Sequence, residues 1–139
     1  MSNRSKRYQA RVSALEYLYS VHSGGKLSLD TMDENKDKRY TKNLVTGIGD
    51  NQELLEDLLS PLIENTSLSE VVTVDRLVLL IGAYELKFQL DVPWRVVVNE
   101  ATTLAKEFGS DDGYKLVNAV LDKLSKSLRE GERSDGKVS

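Results

Sequence analysis

Apolar residues return every three or four positions along most of this 139-residue chain, a period that suits helices and little else. Alternating β-branched runs are nearly absent, and the only prolines are Pro61 and Pro93, so long helices meet few obstacles. The expected fold class is all-α. A first helix reads from about Arg4 to His22, with Tyr8, Val12, Leu15, Tyr19 and His22 on one face and Ser23-Gly24-Gly25 as its stop. Residues 24–37, small and charged, read as a loop. Tyr40, Leu44, Val45 and Ile48 then mark a second helix ending near Gly49-Asp50. A third follows at once, where Leu54, Leu55, Leu58, Leu59, Leu62 and Ile63 form an apolar face broad enough for two neighbours. Pro61 should bend or shorten its last turn.

The polar stretch from Asn65 to Glu70 is the expected seam between two helical halves. Beyond it, a fourth helix from about Val71 to Phe88 is apolar around most of its circumference at Leu77-Val78-Leu79-Leu80-Ile81, which predicts a central helix surrounded by the others. Pro93 suits the first turn of a fifth helix bearing Val97, Ala101, Leu104, Ala105 and Phe108, and Gly109 ends it. Ser110 or Asp111 is placed to cap a sixth helix whose stripe is Val117, Val120, Leu121, Leu124 and Leu128. The charged tail from Gly131 to Ser139 is expected to fray. No fixed-period repeat or sustained heptad is present, so solenoids and coiled coils drop out. The organisation predicted is one domain over 1–139, with an N-terminal half of about 4–65, a C-terminal half of about 68–130 and a tail at 131–139.

The absence of cysteine removes disulfides, thiolate zinc sites and a cysteine nucleophile together, and suits a reducing compartment. No apolar run reaches membrane-spanning length, so a cytoplasmic location is expected. The net charge of −3 hides an asymmetry: residues 1–11 hold Arg4, Lys6, Arg7 and Arg11 with no acid, while the other 128 residues carry 15 cations against 22 acids. At about 100° per residue, Arg4, Arg7 and Arg11 fall within roughly 60° of one another, an arrangement that predicts a ridge of guanidiniums for phosphates with Tyr8 alongside. A solvated helix face explains the same charges equally well.

An enzyme needs a nucleophile, a base or a metal cluster, and the inventory here is poor. His22 is the only histidine and reads as a partly buried or capping residue beside the apolar stripe. No phosphate-binding glycine loop, His-x-x-His pair or nucleophile elbow is present. Asp75, Glu85 and Glu100 each flank strongly apolar segments, and a structural ion pair or helix-end contact is the commoner role for such carboxylates. The expectation is no catalytic residue, no metal and no cofactor. Asn99 and Asn118 read as interhelical hydrogen-bonding residues, Tyr84 as core, and Trp94 as either a packing anchor or an exposed stacking surface.

One ordered set of segments resembles the NusB family: Gly82-Ala83-Tyr84-Glu85-Leu86, Asp91-Val92-Pro93, Val98-Asn99-Glu100-Ala101, Leu104-Ala105-Lys106, Phe108-Gly109, and Val117-Asn118 leading to Val120-Leu121-Asp122-Lys123. Ala10-Arg11 and Leu18-Tyr19-Ser20 resemble the family's first helix. The resemblance covers nearly the whole chain and implies a NusB-like fold of two packed helical subdomains with about six to seven helices. It also implies a transcription antitermination factor that binds the boxA element of ribosomal RNA leaders together with the ribosomal protein NusE and joins other Nus factors on RNA polymerase. By position, Arg7 and Arg11 match RNA-binding positions of the first helix, with Arg4 and Lys6 in the same arm. Asp112, Lys115 and Leu116 complete the implied RNA surface, and Tyr19 and Glu85 match positions tied to NusE binding.

The chain departs from the family pattern in several places. Tyr8 and Gln9 interrupt the arginine run, Leu116 stands where an aromatic is common, Leu80 replaces an arginine, Ala119 replaces a glycine, and a tryptophan is missing near Leu68. These departures keep an alternative in view: a helical protein-interaction module with weakened RNA binding. An RNA-targeting domain of the kind fused to some rRNA methyltransferases is a third reading, and an isolated enzyme comes last.

Overall fold

A computed structural model of the chain describes residues 5–28 and 37–138, with side chains to residue 134. Arg4 and most of the expected 24–37 loop lie outside the described residues. The described elements are helices joined by two short 3-10 turns: α1 (Lys6–His22), α2 (Lys38–Leu59), α3 (Thr73–Phe88), α4 (Trp94–Phe108), α5 (Gly113–Leu128) and α6 (Glu130–Val138).

Each boundary has a local cause. The Ser5 hydroxyl accepts the Tyr8 N–H at 3.0 Å and caps α1. Ser23 and Gly24 close α1 through bonds to Tyr19 and Val21 carbonyls, with Gly24 at φ 81°, a conformation glycine adopts without Cβ strain. The expected break at Gly49-Asp50 is instead a kink inside one helix. Asn51 leaves helical geometry at φ −123° and ψ 17°, and its side-chain amide donates to the Gly47 carbonyl at 2.8 Å, four residues back, so the ladder bends without ending. The 3-10 turn Ser60–Leu62 places Pro61 at the end of α2, as its missing N–H requires. At the seam, Asn65 takes φ 68°, which its short polar side chain tolerates.

The α3 helix is central as expected: it packs against α1, α2, α4 and α5, and Leu77 through Ala83 are all buried. The stripes of α4 and α5 meet it with Val97, Leu104, Val117, Leu121 and Leu124. The face of α1 differs from its periodicity. Ala10, Arg11 and Ala14 are buried, whereas Tyr19 and His22 are exposed, because small alanines let α1 approach its neighbours most closely in its first half, while Tyr17 and Leu18 are only partly covered.

The expected tail is helical as far as Val138, and its first charges, with the neighbouring Arg129, find partners. Arg129 donates to the carbonyls of Leu86, Glu85 and Gln89 at the end of α3, and to Glu132 at 2.6 Å. Glu132 also accepts the Trp94 backbone N–H at 2.8 Å, placing an acid at the start of α4 where the helix dipole favours it. Arg133 lies 3.8 Å over the Trp94 ring and bonds Asp122 and Ser125, so Trp94 is a packing anchor covered by α6.

Burial alone would raise the Glu132 pKa, but the Trp94 N–H and Arg129 outweigh it and hold the carboxyl below the usual carboxylate range. A depressed folded-state pKa adds stability above the unfolded value and loses it as pH falls through the lower folded value. Acid titration is therefore expected to change the emission of Trp94, the single tryptophan, below the ordinary carboxylate range. Glu132→Gln should abolish that step, and a Trp94 titration identical in the variant would contradict the assignment.

Candidate nucleic-acid interface

Arg11, expected on an RNA-facing ridge, and Glu85, for which an ion pair was the commoner expectation and NusE contact the role implied by the resemblance, form the most buried ionic contact of the described residues: each side chain is 1% exposed. Arg11 Nε donates to Glu85 Oε1 at 2.9 Å and Nη2 to Oε2 at 2.8 Å, a bidentate fork. The Tyr40 hydroxyl donates to the same carboxylate, and Glu100 lies 3.8 Å from Arg11 Nη1. One cluster thus joins α1, α2, α3 and α4. Burial by itself would lower the Arg11 pKa, but the hydrogen bonds and charge of Glu85 reverse that and hold it above its ordinary value. Burial, then the Glu85 charge, pushes the Tyr40 phenol far up, so it stays a donor.

The expected ridge is corrected accordingly. The four-residue step from Arg7 to Arg11 turns about 40° around the helix, enough to carry Arg11 from the rim to the α3-facing side. Its guanidinium has no surface left for a phosphate, and Glu85 has none for a protein partner. Asp75 and Glu100 likewise serve internal contacts. Sequence reasoning missed Tyr40; its signal was an aromatic at the start of an apolar stripe, which resembles ordinary core.

Arg7 does face solvent. Its side chain is 42% exposed and its guanidinium sits 4.1 Å over the Tyr40 ring, with Asp91 at 3.8 Å. Lys6 beside it is exposed, and the first turn of α1 holds no acid. At the other end of α3 is a second polar surface on the start of α5. Asp112 and Lys115, 3.4 Å apart, are largely exposed, while Leu116 is half-buried against the core. Ten residues of helix separate Asp75 from Glu85, about 15 Å, so the two surfaces lie on either end of the central helix.

The start of α5 is held in an unexpected way. Ser110 and Asp111 do not cap it; instead Asp75, from the first turn of α3 and 2% exposed, accepts the Ser110 N–H at 3.3 Å and the Ser110 hydroxyl at 2.5 Å. A Cβ at Gly109 or Gly113 would overlap that carboxylate. Asn118 donates to Thr102 at 3.2 Å and so bridges α5 to α4, whereas Asn99 is exposed. Tyr84 is half-buried, its ring 5.1 Å from that of Phe88.

Tyr19, 46% exposed, lines a shallow apolar groove with Leu15, Glu16, Val74 and Phe108. Phe108 is itself 45% exposed, so the groove floor offers contact area that no described segment covers. Among the described residues no group of His, Cys, Asp and Glu is arranged to hold a metal ion, and no helix is long and apolar enough to cross a membrane.

The sequence pattern of the NusB family matches residues 8–126. A transcription antitermination protein NusB from Thiobacillus denitrificans is 37% identical over 131 residues, covering 88% of this chain and 90% of its own. The one from Albidiferax ferrireducens is 40% identical over 138 residues, 94% of this chain and 77% of its own. The solved structure of T. maritima NusB superposes with a TM-score of 0.78 at 28% identity, covering 96% of this chain and 99% of that one. A match that runs from the first buried residue of α1 nearly to the end of α5, with a solved relative that superposes over nearly the whole chain, has one meaning: the chain belongs to the NusB family, a family of transcription antitermination factors and not of enzymes.

Proposed function

We propose that this antitermination factor binds the single-stranded boxA element of ribosomal RNA leader transcripts, in a heterodimer with the ribosomal protein NusE, and carries it into the antitermination complex on RNA polymerase. The observation that carries the reading is Arg7: an exposed guanidinium held on the face of Tyr40, at a helix start without acids. Stacking restricts the fork before RNA arrives, and its ion pair with Asp91 is exposed and weak enough to exchange for a phosphate. Lys6 extends this surface, and Lys115 with Asp112 offers a second contact beyond the length of α3. The Tyr19 groove, with its apolar floor and Glu16 rim, is the docking face for NusE.

The test is a boxA RNA titration with and without NusE over a range of salt. Three or four phosphate contacts give a slope of log affinity on log salt of about −2 to −3. Arg7→Ala should weaken binding and flatten that slope by about 0.7 without moving the thermal midpoint; a slope unchanged by the substitution would remove Arg7 from the interface.

A second reading has its own support. With Arg11 buried and Leu116 turned partly inward, the RNA surface is thinner than the sequence pattern implies, while the Tyr19 groove is intact. In that case the chain is a protein-interaction module, and NusE binding persists while RNA adds nothing to the complex.

A further inference from the structure

We infer that Tyr114, flanked by Lys106 and Lys115, forms an RNA subsite that receives a base on its ring and the adjoining phosphates on the two ammoniums; this rests on the RNA-binding reading above. Lys106 Nζ, from the last turn of α4, lies 5.0 Å from the Tyr114 ring centroid, and Lys115 Nζ, from the first turn of α5, lies 6.0 Å from it. The ring is half-buried against the core and so has a fixed seat, and the two ammoniums over it are carried on exposed, flexible stems that can swing toward phosphates and leave the ring to a base. An aromatic face between cations is the pairing that single-stranded nucleic acid uses, stacking for the base and charge for the backbone.

The backbone beneath the subsite is also fastened, and a preorganised backbone reduces the entropy lost on binding. The turn that brings Lys106 and Tyr114 together, residues 109–113, is fastened by Asp75 through both polar groups of Ser110. Gly109 and Gly113 leave just the room that carboxylate fills. The backbone positions of Lys106 and Tyr114 therefore keep their spacing in the free protein.

The experiment titrates a boxA RNA oligonucleotide, in the presence of NusE, into wild type, Tyr114→Leu, Tyr114→Phe and Lys106→Gln, with thermal midpoints measured alongside. Expected results are a roughly tenfold loss for Tyr114→Leu at an unchanged salt slope, near wild-type affinity for Tyr114→Phe, and a slope about 0.7 shallower for Lys106→Gln. Wild-type affinity in a folded Tyr114→Leu variant overturns the subsite while leaving the Arg7-dependent reading intact. Should Tyr114→Leu fail to fold, an unaltered slope in Lys106→Gln overturns it equally. Loss of NusE binding with RNA affinity preserved assigns the ring to a protein contact and also overturns it. Absence of any RNA binding by wild type defeats both the reading and the subsite.

Discussion

Glu85→Ala is expected to lower the stability of the fold by about 3–5 kcal/mol, because it strands the Arg11 guanidinium in the interior without its anion. The Tyr40 hydroxyl loses its acceptor in the same step. Glu100, 3.8 Å away and partly exposed, is too distant to replace a bidentate partner. Urea denaturation followed by far-ultraviolet circular dichroism measures the loss. The contrast with Arg7→Ala separates the two arginines of α1. The exposed one governs RNA affinity and leaves stability nearly unchanged, while the buried one governs stability. Replacing Arg11 and Glu85 together by apolar residues of similar volume should recover most of the loss, since the desolvation cost of both charges disappears with them. A Glu85→Ala protein as stable as wild type would mean that the cluster is not the junction the geometry describes.

Arg129→Ala is the second large effect, about 3 kcal/mol. A helix leaves its last carbonyls without intrahelical donors, and Arg129 supplies them at the end of α3 from a side chain that is 4% exposed. Gln89 N–H still serves the Glu85 carbonyl and Val92 N–H the Gln89 carbonyl after the substitution, but the Leu86 carbonyl loses Nε at 2.9 Å. A buried acceptor left empty costs about 1–3 kcal/mol, and the charge at the helix end and the bond to Glu132 go with it. Arg129→Lys should restore only part, since one ammonium cannot present the planar fork. The readout is the urea midpoint by Trp94 emission and by circular dichroism; an unchanged midpoint would contradict the capping role.

The helices α1, α3, α4 and α5, the central position of α3 and the stops at Ser23-Gly24 and Gly109 were legible in the sequence because each follows from local periodicity or from glycine. The kink at Asn51 was not, since a side-chain amide replacing a backbone donor leaves the apolar period almost undisturbed. The ionic junction was legible only from its acidic side, where Glu85 and Glu100 read as ion-pair carboxylates without a named partner. Arg7 and Arg11 have the same chemistry, and what divides them is Glu85, 74 residues later, together with Tyr40. Charge counting along one helix cannot register a partner on another. The same holds for Asp75 and Ser110, 35 residues apart, for Arg129, which meets the carbonyls of α3, and for the tail, whose Arg133 finds the Trp94 ring.

The Asp75 fastening has a consequence for how this chain tolerates change in length. Where an acidic side chain occupies the hollow of a tight turn, adding or removing one residue there rotates the following helix by about 100° and pulls its apolar stripe off the core. The α4–α5 connection therefore has no slack, its length dictated by a group on a helix that was laid down a whole element earlier.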